Sequence, residues 1–194
     1  MKNIPSPDAT TCCVIVTGTN AVGKTTLAKA FIDRFGGISR IENQTTFTNG
    51  GPALAGPYGC SSGGVDRIKD ADGNSATSPL ASVVEAALNQ TNLILCEGSR
   101  LDTFGLNLTN AIFKAKRQLV VFLCAPLDVI YNRLVERSGV KERAWRTIAA
   151  KQRQAARAAE KFRSIGVPVM GFDTSKTQTD TILNKILDFA GVHS

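Results

Sequence analysis

The sequence has no run of 18 or more apolar residues. A helix needs about that length to cross a bilayer, so a membrane span and a membrane partner are excluded from the reading. The first eleven residues hold Pro5, Pro7 and Asp8 and no apolar core. They do not read as a secretory signal and are expected to lie loosely outside the fold. No pair of cysteines has zinc-ligand spacing, and the count of five is odd. Cys12, Cys13, Cys96 and Cys124 sit in apolar, strand-like runs and Cys60 in a loop. Four therefore read as small buried hydrophobes in a reducing compartment, with the cytoplasm as the expected location. No internal repeat is present. At 194 residues one domain, 1–194, is expected, with enough chain for a sizeable core.

Charge is present but uneven. The net +7 is concentrated between residues 141 and 163, where eight basic residues face two acidic ones. A local basic surface suits an anionic partner, either nucleotide phosphates or a nucleic-acid backbone.

Apolar runs and helical spacings alternate along the chain. Cys12 to Thr17, Ile38 to Ile41, Asn92 to Cys96, Gln118 to Cys124 and Val167 to Phe172 read as strands. Helices are expected from Lys24 to Phe35, after Ser78-Pro79, near Phe104 to Lys116, from Pro126 to Arg137, from Lys141 to Ser164 and from Thr179 to Phe189. Ser78 is the expected N-cap of its helix and Pro79 its first residue. The pattern predicts a three-layer α/β/α fold with a mostly parallel, five-stranded sheet. Ligands in such sheets bind at the carboxyl ends of the strands, where Gly18, Glu97, Ala125 and Asp173 fall.

Gly18-Thr19-Asn20-Ala21-Val22-Gly23-Lys24-Thr25 lies between the first strand and the first helix. It has both glycines, the lysine and the hydroxyl residue of a phosphate loop at their required spacing. The glycines allow close approach, the loop's N–H groups point inward at phosphate oxygens, and the helix end adds its dipole. Lys24 is expected to reach the β- and γ-phosphates of ATP, and Thr25 to ligate Mg²⁺, with Thr26 beside it.

Glu97 ends an apolar strand that would lie beside this loop. There a carboxylate can hold Mg²⁺ or accept a proton from an acceptor. Arg100, three residues on, either binds an acceptor phosphate or is a surface charge. Residues 43–79 carry seven glycines and three prolines, and a stretch of that kind suits an acceptor-binding insertion or a mobile loop. In it Tyr58 offers a stacking surface for a base. Gly63 and Gly64 lead into Asp66, which could take a proton from an attacking hydroxyl, and Arg67, which could position a phosphate. A polar turn is the other reading of Asp66 to Lys69. Which of Asp66 and Glu97 is the base stays open.

On the long basic helix, Trp145, Ile148, Ala149, Gln152, Ala156 and Ala159 form one face and Arg143, Arg146, Arg153, Arg157 and Lys161 the other. The basic face is either merely solvated or, from about residue 137 to 163, a lid. Arg137 and Arg143 are the arginines placed first over a transferring phosphoryl group.

With these residues in place, the chain from Cys12 to about Ala190 resembles the nucleoside-monophosphate-kinase-like P-loop kinases. The supporting marks are Glu97-Gly98, the arginine-rich region and Phe172-Asp173-Thr174-Ser175-Lys176. The resemblance implies that Asp173 and Ser175 lie against the ATP base; an ordinary turn and N-cap is the other reading. Within that group, Tyr58, Gly63-Gly64-Val65-Asp66 and Cys96-Glu97-Gly98 look like phage-type kinases that phosphorylate 5-hydroxymethyluracil in DNA. That likeness implies transfer to the base's hydroxymethyl oxygen, with DNA as partner and the host cytoplasm as location. A small-molecule nucleoside monophosphate kinase and a P-loop regulatory protein without an acceptor remain the alternatives.

Overall fold

A computed structural model describes residues 10–59, 63–74, 76–138 and 144–192. Seven strands form one sheet: β1 (Cys12–Thr17), β2 (Ile38–Glu42), β3 (Thr45–Thr48), β4 (Ala53–Ala55), β5 (Leu93–Glu97), β6 (Arg117–Cys124) and β7 (Val169–Asp173), in the order β2-β3-β4-β5-β1-β6-β7. Neighbours from β4 to β7 pair in parallel, while β3 is antiparallel to both β2 and β4. The helices are α1 (Lys24–Arg34), α2 (Leu80–Leu88), α3 (Leu106–Ile112), α4 (Leu127–Ser138), α5 (Ala144–Ser164) and α6 (Thr179–Ala190).

The alternation of side chains along β1 shows why there are three layers. Cys12, Val14 and Val16 join one core with Phe31 of α1 and Leu183 of α6. Cys13 and Ile15 point the other way and join Val84 of α2, Ile112 of α3 and Phe162 of α5. All six residues of β1 are buried, which a central strand covered on both faces requires. Among the described residues, no helix is long and apolar enough to cross a membrane.

Two strands go beyond the five expected. β3 and β4 both lie in the glycine-rich stretch, and both are wholly buried. Thr45, Thr46 and Thr48 make β3 look polar in sequence. The Thr46 and Thr48 hydroxyls are satisfied by the carbonyls of Gly56 and Pro52, so threonine serves here as a β-branched core residue. The stretch therefore extends the sheet before it becomes a loop. Two caps also differ from expectation. Pro79, not Ser78, is the N-cap of α2, and no side chain bonds there. Thr11 is not loose: its carbonyl and hydroxyl accept the amides of Arg117 and Lys116. Residues 1–9, Cys60 and Gly139 lie outside the described residues.

The long basic helix is rotated from the expected setting. Ile148, Ala155, Ala158, Ala159 and Phe162 are buried, whereas Trp145 is 41% exposed and meets Tyr131 edge-on. Phe162 is the anchor, packed against Phe104 at 4.9 Å. Arg146, Arg153, Arg157 and Lys161 are exposed, as expected.

After β4 the chain passes very close to the end of β5. A Cβ on Gly56, whose φ is +92°, would overlap the Gly64 carbonyl. A methyl there meets both backbone overlap and a left-handed conformation. Gly56→Ala is expected to cost about 2–3 kcal/mol. Urea unfolding measures it, and a loss below about 0.5 kcal/mol would refute this packing.

Candidate active site

β1 lies between β5 and β6, and Val16 pairs with Glu97. The phosphate loop therefore emerges beside the carboxylate that ends β5. A cleft of about 560 Å³ opens there. Thr19, Asn20, Ala21, Gly23, Lys24, Thr25 and Thr26 line its floor. Gly18 and Val22 lie beneath: Val22 is buried in the core, and a Cβ on Gly18 would overlap the Leu123 carbonyl. Ala21 and Gly23 have positive φ of 61° and 94°. Gly23 caps α1 with no side-chain bond, which leaves the helix's first N–H groups for an anion.

The residues on the far wall belong to two groups. Gly63, Asp66, Arg67, Glu97 and Ser99 form one end, and Arg133, Arg137, Thr174, Thr177 and Thr179 the other. The Asp66 carboxylate accepts the amides of Ser99 at 2.9 Å and Arg100 at 3.2 Å. It is thereby fixed in place, facing the cleft. Arg133 donates to the Ala21 carbonyl at 3.3 Å and to the hydroxyl and carbonyl of Thr174, each at 3.0 Å. It thus ties the phosphate loop to the turn after β7.

Several expected site residues lie elsewhere. Tyr58 is buried, and its hydroxyl donates to Glu97 Oε1 at 2.6 Å. It supports the carboxylate from below and offers no open face for stacking. Gly64 is the reason the two can meet, since a Cβ there would come within 2.8 Å of Glu97 Oε1 and 3.0 Å of the Tyr58 oxygen. Arg100 faces a separate, shallow groove with Ala76, Thr77, Ser78 and Asn107. Asp173 accepts the amide and hydroxyl of Ser175 in a tight turn. Neither of them lines the cleft; the threonines that follow do. Arg143 lies outside the described residues.

Sequence reasoning missed Asp102. It is 4% exposed and accepts from the Gly18 amide at 3.0 Å and the Thr17 hydroxyl at 3.3 Å. Its signal in the sequence is slight, a carboxylate beside an apolar residue, Leu101, in the turn after β5. In the sequence Arg133 stands with Arg137 just upstream of the basic helix, and nothing there marks its partners Ala21 and Thr174.

Burial dominates the electrostatics. It pulls the Lys24 ammonium below its ordinary value, and the charges of Asp102, Glu97 and Asp66 pull it back up. It pushes the carboxyls of Glu97 and Asp102 above theirs, with hydrogen bonds and Lys24 opposing. Three carboxylates thus surround one ammonium, an arrangement suited to an added cation. Among the described residues no cluster of three or more His, Cys, Asp or Glu could hold a metal by itself. Mg²⁺ is usually held by one or two protein oxygens together with substrate phosphates and water, which fits Thr25 and Glu97. The Thr19 hydroxyl is buried with no hydrogen-bond partner. It and the inward loop fit a phosphate chain.

The raised Glu97 carboxyl makes the Tyr58 bond testable. The folded state holds that proton more tightly than the unfolded chain. This contribution to stability is present at acid pH and is lost as pH rises through the raised folded value. Tyr58→Phe removes a pull toward the ionised form, so the loss deepens. The substitution is expected to cost about 1.5–3 kcal/mol near neutral pH and clearly less at acid pH. Urea unfolding across that range measures it; a cost that does not change with pH would show that the hydroxyl does not serve the carboxylate.

The chain matches no family model, and no curated protein matches it. Its likenesses are among solved structures. The YorR protein from Bacillus subtilis, in complex with phosphorylated GDP, superposes with a TM-score of 0.58 at 14% identity, over 92% of this chain and 95% of that one. A sugar kinase from Janibacter sp. HTCC2649 superposes with a TM-score of 0.53 at 15% identity, over 94% and 95%. At these identities the likeness is one of fold, and the fold is the α/β/α fold of the P-loop kinases.

Proposed function

We propose that the protein is an ATP-dependent kinase that transfers the γ-phosphoryl group to a hydroxyl of a nucleic-acid component. One observation carries this reading. Asp66, held by two amides, and Glu97 face the cleft from the side opposite the donor-end threonines, with Lys24 and Thr25 between. A second carboxylate fixed beside the cleft suits the removal of a proton from an acceptor hydroxyl. The likeness in fold to a sugar kinase supports it.

Lys24 and the loop amides hold the donor's phosphates. Thr25 and Glu97 would hold Mg²⁺, which neutralises charge between the β- and γ-phosphates when bound. Asp66 takes the proton of the acceptor hydroxyl as its oxygen attacks the γ-phosphorus. The bond from that phosphorus to the β-bridging oxygen breaks, and ADP leaves. Arg67 and Arg137 face the cleft and neutralise charge on the acceptor and on the transferring group; Arg143 is assigned with Arg137 from sequence alone. Burial of Cys12, Cys13 and Cys96 as free thiols suits a reducing cytoplasm.

For the acceptor, the resemblance to hydroxymethyluracil DNA kinases and the exposed Arg146, Arg153 and Arg157 support a hydroxymethylated pyrimidine in DNA. A free nucleoside monophosphate is the second reading. It is favoured by the cleft itself, which is lined by Arg67 and Arg137 and by none of the exposed arginines of α5.

Labelled ATP incubated with hydroxymethyluracil-containing DNA, RNA and free nucleotides separates them. Label on the DNA alone is expected; label on free nucleotides alone would overturn the polymer acceptor, and label on neither would overturn the kinase. Lys24→Met is expected to abolish transfer in a folded protein. Asp66→Asn is expected to lower transfer at least about a hundredfold with ATP affinity unchanged.

A further inference from the structure

Arg100 lies outside the cleft, yet it hangs from the same anchor as the candidate base. The Asp66 carboxylate holds two consecutive amides, those of Ser99 and Arg100. Ser99 lines the cleft, whereas Arg100 lines the shallow groove with Ala76, Thr77, Ser78 and Asn107. The Ala76 side of that groove is tied to the same segment. Its amide donates to the Ile68 carbonyl at 3.0 Å, two residues past Asp66. The acceptor end of the cleft and the groove are thus one residue apart, on a turn that Asp66 fixes.

The groove has the chemistry of an anion site. No carboxylate lines it. Arg100 is half-buried, and its Nη1 is buried with no hydrogen-bond acceptor. Among the described residues no carboxylate pairs with its guanidinium. A buried donor on a cation is costly to leave unmade, so the site suits a ligand that brings acceptors. The Thr77 and Ser78 hydroxyls and the Asn107 amide add neutral donors. Pro79 caps α2 without a side-chain bond, which leaves that helix's first amides free of a cap beside Ser78. A planar guanidinium among neutral donors matches the oxygens of a phosphate.

We propose that the Arg100 groove binds the phosphodiester that flanks the acceptor nucleotide, so that the acceptor is recognised as part of a strand. The inference rests on the acceptor reading of Asp66 given above. A free nucleotide carries only the phosphates of one unit, and the cleft alone accommodates it. In a strand, the unit that offers its hydroxyl to Asp66 has a phosphodiester on each side. One of these leaves the cleft past Ser99 and meets Arg100. Arg100 touches no reacting atom. As a phosphate contact it sets the register of the strand and leaves the choice of base to the cleft.

The test is equilibrium binding, without ATP, of a short single-stranded oligodeoxynucleotide with one central hydroxymethyluracil. A single strand is used because a base must leave the duplex to enter such a cleft. Arg100→Gln is expected to weaken binding about five- to twentyfold and to lower the salt slope by about 0.7, one phosphate contact. Replacing the flanking phosphodiesters one at a time by neutral methylphosphonates locates the contact. One replacement is expected to weaken the wild type by the same factor and to leave Arg100→Gln unaffected, as a double-mutant cycle would reveal. Unchanged affinity in Arg100→Gln overturns the proposal. So does a loss that stays the same whichever linkage is neutral, because Arg100 would then act only through the fold. Weaker binding of orthophosphate alone, with the oligonucleotide unaffected, would mark a plain anion site and also overturn it. If Arg100→Gln does not fold, Arg100→Lys is expected to keep the salt slope and to lose affinity for the wild-type linkage alone. Binding that follows these expectations with no label on any acceptor defeats the kinase reading and leaves the groove standing. A wild type that labels free nucleotides but does not bind the oligonucleotide defeats the groove and leaves the kinase standing.

Discussion

The carboxyl edge of this sheet is organised around one buried ammonium. Lys24 sits where water is nearly excluded, and a lone cation there would be costly. Its surroundings answer that cost with the carboxylates of Asp102, Glu97 and Asp66, drawn from the ends of different elements. Each carboxylate is itself held in place. Asp102 takes the Gly18 amide, Glu97 the Tyr58 hydroxyl, and Asp66 two amides of the turn after β5. Strand order makes this possible, because β1 lies next to β5 and the loop leaves the sheet beside Glu97.

The same requirement explains the glycines that follow β4. To bring Asp66 and Tyr58 against the end of β5, the chain must run at backbone contact distance. Added Cβ atoms at Gly56, Gly63, Gly64 and Gly98 would all collide with neighbours. Composition that reads as flexibility is here the mark of closeness. Glycine supplies clearance, and Gly56, Tyr58, Gly64 and Val65 are buried there.

That is also where the sequence was least legible. The phosphate loop was readable because its function imposes fixed spacing on single residues. Apolar strands such as Leu93 to Glu97 were readable because both faces are covered. β3 was not, since threonine serves equally well in a loop and in a buried strand. The threonine hydroxyls find their partners only through the folded backbone. Sequence cannot show that Tyr58 points inward, where its hydroxyl meets Glu97 and its ring is buried. Asp102 escaped because its partners, Thr17, Gly18 and Lys24, are about eighty residues away along the chain. Its meaning exists only once β5 and β1 are paired. In the sequence Trp145 and Phe162 are both large enough to set the rotation of α5, and only the packing of Phe104 decides for Phe162.

Arg133 has a mechanical consequence for the opposite end of the cleft. One planar guanidinium grips the Ala21 carbonyl in the phosphate loop and both oxygens of Thr174 after β7. The gap between those two loops cannot widen without breaking either the bond to Ala21 or the pair to Thr174. One side chain of α4 thus braces two loops that the sheet alone leaves on separate strands.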